Sequence, residues 1–134
     1  MCAAGYEDSV CATESRSKFV SNWVVDENGS TTSNTHYTAS IQKGATVTDV
    51  LLINFFNYFT LPVNAYVKGD SIFIPNQHLQ GKVVYGMGGI TGNSYNGKYS
   101  EIILNYQVVD SATGIIDDFG YNPAHIAAPS IWTR

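Results

Sequence analysis

The stretch VNAYVKGDSIFIP, Val63–Pro75, predicts a β-hairpin near the middle of the chain. Val63–Lys68 and Ser71–Pro75 are short segments rich in β-branched and aromatic residues, which favour the pleated, half-buried surface of a sheet. The dipeptide Gly69-Asp70 between them is a tight-turn signal of the kind that joins antiparallel strands. The stretch therefore predicts antiparallel β-structure, and similar strand and turn signals continue on both sides of it.

Strand signals recur along the rest of the chain. Six further strands are predicted at Phe19–Asp26, His36–Lys43, Val50–Phe56, Lys82–Ile90, Lys98–Asp110 and Ile115–Tyr121. Roughly eight short strands at this spacing predict an all-β, antiparallel up-and-down barrel, with an open sandwich as the competing architecture. The three glycines of Lys82–Ile90 predict a bulge or bend where the sheet curls. The Pro-containing tail Asn122–Arg134 is assigned no strand.

Length and charge narrow the class of protein. A chain of 134 residues fits one domain. Its formal net charge is −4, and its seven Lys and Arg residues are scattered singly along the sequence. Phosphate binding requires clustered basic residues, so nucleic acid is not predicted as a partner.

The N-terminus allows two interpretations. In the first, Cys2 is the lipidated residue of a bacterial lipoprotein, residues 1–17 form a flexible tether, and residues 18–134 form a single β-barrel domain. In the second, the segment is an ordinary tail in which Cys2 and Cys11 form a disulfide or remain thiols. Neither cysteine lies near a patterned His or carboxylate, so a catalytic or zinc role is not predicted.

Five short motifs carry a family resemblance. They are KFVSNW at Lys18–Trp23, LINFF within Leu51–Phe56, AYVKGDSIFIPNQ at Ala65–Gln77, the glycine-rich Val83–Ile90 and LNYQV at Leu104–Val108. Together they resemble a family of small extracytoplasmic lipoproteins from Bacteroidota with a lipocalin-like, or calycin-like, β-barrel and no established activity. The resemblance implies lipidation of Cys2 and anchoring to the outer membrane, on its periplasmic or cell-surface side. Many relatives carry a cysteine after the first strand and another near the last. This chain lacks both, so its barrel must hold by packing alone.

The start of the first strand also resembles the Phe-x-Gly-x-Trp signature of lipocalins, with Ser21 in place of the glycine. In lipocalins that Trp packs at the closed end of the barrel under an Arg from near the last strand. The resemblance implies a cation–π pair between Trp23 and Arg134. The alternative is that Trp23 is simply a core residue.

Aromatic residues are the most suggestive candidates for a binding site. Phe55, Phe56, Tyr58 and Phe59 crowd a strand end and the following turn. They either line the mouth of a ligand cavity or plug the barrel with their own side chains. A small hydrophobic ligand inside the barrel is predicted to contact seven aromatic residues, chosen by face and aromaticity: Trp23, Tyr37, Phe55, Phe56, Phe73, Tyr85 and Tyr106.

No constellation of residues predicts an enzyme, a metal site or a cofactor. The three histidines, His36, His78 and His125, lie on separate elements without the spacing of metal ligands. Asp117 and Asp118 are the only two adjacent aspartates, and neighbouring residues of a strand point to opposite faces. Glu101 is the only obvious partner for either carboxylate in a glycosidase-like pair. A catalytic role is therefore not predicted.

Three tripeptides resemble the Asp-Ser/Thr-aliphatic acceptor for O-glycosylation of exported Bacteroidota proteins. Their serines are Ser9, Ser71 and Ser111. The same tripeptides are also ordinary turn sequences, since Asp and Ser hydrogen-bond locally in turns. We hypothesise that at least one of the three serines is glycosylated in the native host.

Two functions remain open from the sequence. The leading hypothesis is an exported lipoprotein that binds a small hydrophobic ligand in its barrel and meets the membrane only through its lipid anchor. The alternative is a filled barrel that acts as a protein–protein interaction module or structural subunit at the cell surface, through exposed aromatic residues or an edge strand. The protein partner is not identified by the sequence.

Overall fold

The computed structural model describes residues 5–7, 13–31, 34–93, 97–122, 124 and 127–134. Cys2, Ser9, Cys11 and His125 lie outside these residues. The strands are β1 (Tyr6–Glu7), β2 (Thr13–Glu14), β3 (Ser21–Glu27), β4 (Thr35–Lys43), β5 (Asp49–Ile53), β6 (Val63–Lys68), β7 (Ser71–Leu79), β8 (Lys82–Asn93), β9 (Gly97–Asp110), β10 (Ile116–Phe119) and β11 (Ser130–Thr133). Two short 3-10 helices span Ser15–Lys18 and Phe55–Asn57.

Eight strands close into an antiparallel barrel. The order around it is β9-β11-β3-β4-β5-β6-β7-β8, and β8 pairs again with β9. The predicted fold class, a lipocalin-like β-barrel, is therefore confirmed, and the sandwich is not. The described part of the chain contains no helix with the length and apolarity that a membrane crossing requires.

The eighth barrel strand is not the one that the sequence predicted. The predicted strand Ile115–Tyr121 is the short β10, which pairs only with the C-terminal half of β9. The barrel is closed by β11, in the tail for which no strand was predicted. Trp132 at its centre pairs with Val25 of β3 on one side and Ile102 of β9 on the other.

Left-handed backbone conformations end β5 earlier than predicted. The strand stops at Ile53, and Asn54 and Phe56 have φ of 59° and 60°. This turn redirects Phe55 into the barrel, where its side chain is fully buried. The apolar residues of Val50–Phe56 are thus buried by two different structures, the strand β5 before Asn54 and the turn after it.

One irregularity of the sheet borders the first glycine of β8, because β7 contains one residue more than β8 between the pairs Ile74–Gly86 and Gln77–Val84. The register shifts between Ile74 and Gln77 in β7, whereas β8 pairs with β9 without interruption from Lys82 to Thr91. Gly86 is required for another reason. A Cβ atom there would lie 2.5 Å from the carbonyl oxygen of Asn105, so it lets β8 and β9 approach closely.

Apolar side chains fill the barrel because they occupy alternate positions of the strands. On β3 the inward residues are Trp23, Val25 and Glu27. The largest fully buried side chains are Trp23, Trp132, Tyr106, Phe19, Phe55, Phe59 and Phe119. Burial of each large apolar side chain contributes about 1.5–3 kcal/mol, so packing alone provides a substantial core without a disulfide.

Part of the segment assigned to a tether lies against the barrel. Arg16 is buried and donates from one guanidinium nitrogen to the carbonyl oxygens of Gly44, Thr46 and Asp49 in and beside the β4–β5 loop. Its other terminal nitrogen lies 3.2 Å from the carboxylate of Glu14. Arg16, which lies within the segment 1–17, is therefore held against the barrel.

Candidate functional site

A buried polar cluster lies inside the barrel at the end of β3. The carboxylate of Glu27 accepts hydrogen bonds from Tyr106 Oη at 2.9 and 3.0 Å, Tyr37 Oη at 3.0 Å and Ser130 Oγ at 2.7 Å. The indole N–H of Trp132 donates to the same serine at 2.9 Å. Burial raises the pKa of Glu27, and the three hydroxyl donors oppose that rise. Burial also raises the pKa of both tyrosines, so they remain protonated donors.

Aromatic side chains plug the barrel next to this cluster. The Phe55 ring centroid lies 4.6 Å from that of Tyr106 and 6.0 Å from that of Trp132. Tyr106 also stacks on Phe119 at 4.4 Å. The space enclosed by Ile41, Leu52, Ile72, Ile102, Leu104 and Trp132 has no room for a water molecule. Four of the predicted ligand contacts, Tyr37, Phe55, Phe56 and Tyr106, thus come together, and they pack against other side chains of the barrel.

Trp23 lies apart from that group and satisfies both interpretations made for it. Its side chain is fully buried, and its indole N–H donates to the carbonyl oxygen of Phe19 at 2.9 Å. The guanidinium carbon of Arg134 lies 4.4 Å from the centre of the ring. Arg134 also donates to the carbonyl oxygen of Tyr99 at 2.6 Å. The predicted cation–π pair is therefore present, on a tryptophan that is also a core residue.

Phe73 and Tyr85, the remaining predicted contacts, lie on the outer face of the barrel. Tyr66, Phe73 and Met87 are directly paired neighbours on β6, β7 and β8. Tyr66 and Met87 are 43% and 50% exposed, which is high for large apolar side chains in the centre of a sheet. Tyr66 stacks on Phe73 with ring centroids 5.1 Å apart.

These side chains border two adjacent depressions that share Phe73 and Met87. One has a volume of about 450 Å³, and its further lining includes Ser71, Gly89, Ile103 and Asn105. The other has a volume of about 360 Å³, and its further lining includes Tyr66, Asn76, Tyr85 and Tyr121. We call the two depressions together the outer groove. Both volumes fall within the range of small-molecule sites, which is about 300–1,000 Å³.

The outer groove is neutral. None of the described residues that line it carries a charge. Tyr85 and Tyr121 meet edge to face with centroids 5.1 Å apart, and the amide of Gln107 donates to the Tyr85 hydroxyl. The amide of Asn105 donates to the carbonyl oxygen of Gly120 at 3.0 Å. Several of the side chains that form the groove are thus held in place by one another and by β9.

Sequence reasoning missed both Glu27 and most of the outer groove. Glu27 follows Trp23 and Val25 at alternate positions, and this spacing places it on the inward face. Tyr66 occupies an outward position between the buried Ala65 and Val67. The signal for the groove is therefore an aromatic side chain at outward positions of three consecutive strands, β6, β7 and β8.

Residues for which the sequence predicts no catalytic role make polar contacts within the fold. Asp117 accepts a hydrogen bond from the backbone N–H of Thr31, and Asp118 accepts one from that of Tyr121. The ring of His78 lies 2.8 Å from the hydroxyl of Ser111. Across the described ranges, no group of three or more His, Cys, Asp or Glu residues is arranged to hold a metal ion.

No protein-family model and no curated protein matches the chain. The outer groove is therefore interpreted from its own side chains.

Proposed function

We propose that this chain is an exported, non-enzymatic binding protein that works through the outer groove of a filled barrel. The observation that carries the proposal is a contrast between two surfaces. The interior around Trp132 is occupied by the chain's own side chains, whereas the outer groove is open, preformed and rich in aromatic residues. Exposed aromatic residues on a soluble barrel normally occur singly, and a contiguous group is typical of an interaction surface.

The proposal moves the ligand of the sequence-based hypothesis from inside the barrel to outside it. Phe55 and Tyr106 occupy the space in which an interior ligand would lie. Phe73 and Tyr85 keep the binding role predicted for them, because both line the outer groove. The remaining candidates, Trp23, Tyr37 and Phe56, are assigned to the packing of the barrel.

The proposal also includes membership of the lipocalin-like Bacteroidota lipoprotein family, with a lipid on Cys2 that anchors the barrel to the outer membrane. Intact mass spectrometry of protein purified from its own host tests this part. We expect the mass of residues 2–134 with acyl groups on Cys2 as the N-terminal residue, with hexose-type increments if Ser9, Ser71 or Ser111 is glycosylated. An unmodified Cys2 rules out the anchor, and a mass equal to polypeptide plus lipid rules out glycosylation.

Nuclear magnetic resonance distinguishes an outer from an inner binding surface. The probe is N-phenyl-1-naphthylamine, a neutral aromatic molecule, titrated into isotope-labelled wild-type protein. We expect saturable shifts of the backbone amides of residues 71–74, 85–91 and 103–105, which belong to β7, β8 and β9. Gly89→Leu is expected to abolish these shifts, because a Cβ atom at Gly89 meets only the Asp70 carbonyl oxygen, at 3.5 Å, and the added side chain fills the groove.

The same titration can overturn the proposal. Shifts centred on Leu52, Leu104 and the Trp132 indole would place the ligand inside the barrel. Absence of saturable shifts at any residue would show that the outer groove has no affinity for an aromatic ligand.

A further inference from the structure

We propose that the occupant of the outer groove is a neutral oligosaccharide, whose sugar rings lie against the aromatic side chains. This inference rests on the proposed function, since it names the ligand of the same surface. It is carried by three properties of the groove: its openness, its lack of charge, and its combination of aromatic faces with amide and hydroxyl groups.

The groove is open to solvent along one side, so its ligand stays partly in water. Small-molecule pockets usually bury about 70–90% of a ligand, and a wholly apolar molecule gains most from such burial. Met87 is 50% exposed at the centre of the groove, so a ligand resting on it keeps its far side hydrated. The ligand therefore has one apolar face and one polar face.

The absence of charge restricts the ligand further. Recognition of a charged molecule normally uses side chains of the opposite charge, which steer it and fix its orientation. The lining residues of both depressions are aromatic, aliphatic, amide or hydroxyl-bearing. A nucleic acid, a phosphorylated molecule or an acidic peptide would find no cation among them. The ligand class that remains is neutral and amphipathic.

The aromatic faces and the polar groups of the outer groove are suited to the C–H face and the hydroxyl groups of a sugar ring. The face of an aromatic ring carries negative potential and attracts the partly positive C–H groups of a sugar face. The stacked pair of Tyr66 and Phe73, in which Tyr66 is 43% exposed, presents aromatic surface on β6 and β7. Asn76 and Ser71 add an amide and a hydroxyl, which both donate and accept and therefore suit sugar hydroxyls.

The length of the groove indicates a chain of rings instead of a single sugar. Tyr85 and Gly89 lie four residues apart on β8 and belong to different depressions. At the rise of a β-strand this separation is about 13 Å, which exceeds the width of one ring. A ligand that contacts both depressions is therefore an extended chain of at least two sugar units.

Isothermal titration calorimetry with defined neutral hexasaccharides tests the inference. The probes are cellohexaose, laminarihexaose, maltohexaose, mannohexaose and xylohexaose, with hexagalacturonate as the charged comparison. We expect at least one neutral probe to bind and hexagalacturonate not to bind. Tyr66→Ala and Gly89→Leu, which alter different depressions, are each expected to weaken binding by about tenfold or more, a loss typical of removing one well-packed contact. Tyr58→Ala, a similarly exposed tyrosine outside the groove, is expected to leave affinity within about twofold.

The outcomes separate this inference from the proposed function. If no neutral hexasaccharide binds at millimolar concentration, or binding is unchanged in Tyr66→Ala and Gly89→Leu, the oligosaccharide inference is wrong. If the naphthylamine probe still shifts the groove amides in that case, the groove remains a binding surface for another ligand. If the naphthylamine probe also causes no saturable shift of the groove amides, both proposals are wrong. Circular dichroism of every variant confirms that a loss of binding is not a loss of fold.

Discussion

The hydroxyl of Tyr106 on β9 donates to both carboxylate oxygens of Glu27 on β3, at 2.9 and 3.0 Å. Ser130 on β11 and Tyr37 on β4 donate to the same carboxylate. These residues belong to four consecutive strands of the barrel, β9-β11-β3-β4, and include the pairing of β11 with β3, the last and the first barrel strands in chain order. One buried carboxylate thus ties together the strands that close the barrel.

The charge of Glu27 is expected to make stability depend on pH. Burial raises its pKa in the folded protein above the ordinary value of 4.5, so the folded state binds the proton more tightly than the unfolded state. The free energy of unfolding should therefore fall as pH rises from about 4.5 to the raised pKa, and level off above it. Urea denaturation at a series of pH values measures this fall.

Glu27→Gln is the matched control for that prediction. The amide keeps the shape and an acceptor for the tyrosine hydroxyls but cannot ionise. The difference in unfolding free energy between wild type and this variant isolates Glu27 from Glu14 and Asp110, whose pKa values are lowered by their lysine partners. A difference that stays constant between pH 4 and 8 would contradict the assignment.

Arg134 is expected to stabilise the barrel through the ring of Trp23. Arg134→Leu keeps an apolar side chain but removes the cation above the ring and the donor to Tyr99. The expected cost is about 1–2 kcal/mol, the range for a partly desolvated cation–π pair with one hydrogen bond. Thermal denaturation followed by tryptophan fluorescence measures it. A melting temperature equal to that of wild type would show that the contact is energetically neutral.

The C-terminal strand β11 is expected to be essential for a closed, monomeric barrel. A chain that ends at Pro129 leaves β3 and the N-terminal half of β9 without their partner. Unpaired strand edges associate with other chains, so we expect oligomers in size-exclusion chromatography with light scattering. Trp132→Phe keeps the strand with a smaller ring and is expected to stay monomeric. If the truncated protein is monomeric and unfolds cooperatively, β11 is not required for the barrel to fold and close.

Two glycines of β8 are expected to respond very differently to the same substitution. A Cβ atom at Gly86 would lie 2.5 Å from both Asn105 O and Tyr106 Cβ, whereas one at Gly89 has ordinary contact distances. Gly86→Ala is expected to cost about 1–3 kcal/mol through overpacking, and Gly89→Ala to be near neutral. Urea denaturation of the two variants under identical conditions provides the comparison. Equal free energies of unfolding for the two variants would mean that β8 and β9 can move apart at Gly86 without a loss of stability.

The sequence predicted best the elements whose pattern is local. The hairpin of β6 and β7 begins and turns as predicted, because alternation and the Gly69-Asp70 turn lie within one stretch. β11 was missed because four residues after a proline show too little alternation to identify a strand. Its place in the barrel depends on pairing with β3, more than a hundred residues earlier, which no local pattern contains.

The candidate site was only partly predictable, for a related reason. Aromatic character selected Phe73 and Tyr85, which line the outer groove, but it could not separate side chains that fill the barrel from side chains that line its outer face. That distinction depends on whether a residue occupies an inward or an outward position of its strand. Because β5 ends early, at Ile53, the alternation of a strand does not apply to Phe55 and Phe56. Whether a barrel of this size is hollow or filled is decided by the summed volume of its inward side chains.

The pairing of β11 with β3 also determines when folding can finish. Ser130 meets Glu27 from 103 residues further along the chain, so β3 has no partner on that side until the C-terminal strand is available. A chain that leaves a ribosome or a translocation channel N-terminus first therefore carries an incomplete barrel until β11 has emerged. During that interval its open edges are available to a chaperone, and the duration of the interval is set by the rate of synthesis or export as well as by the protein.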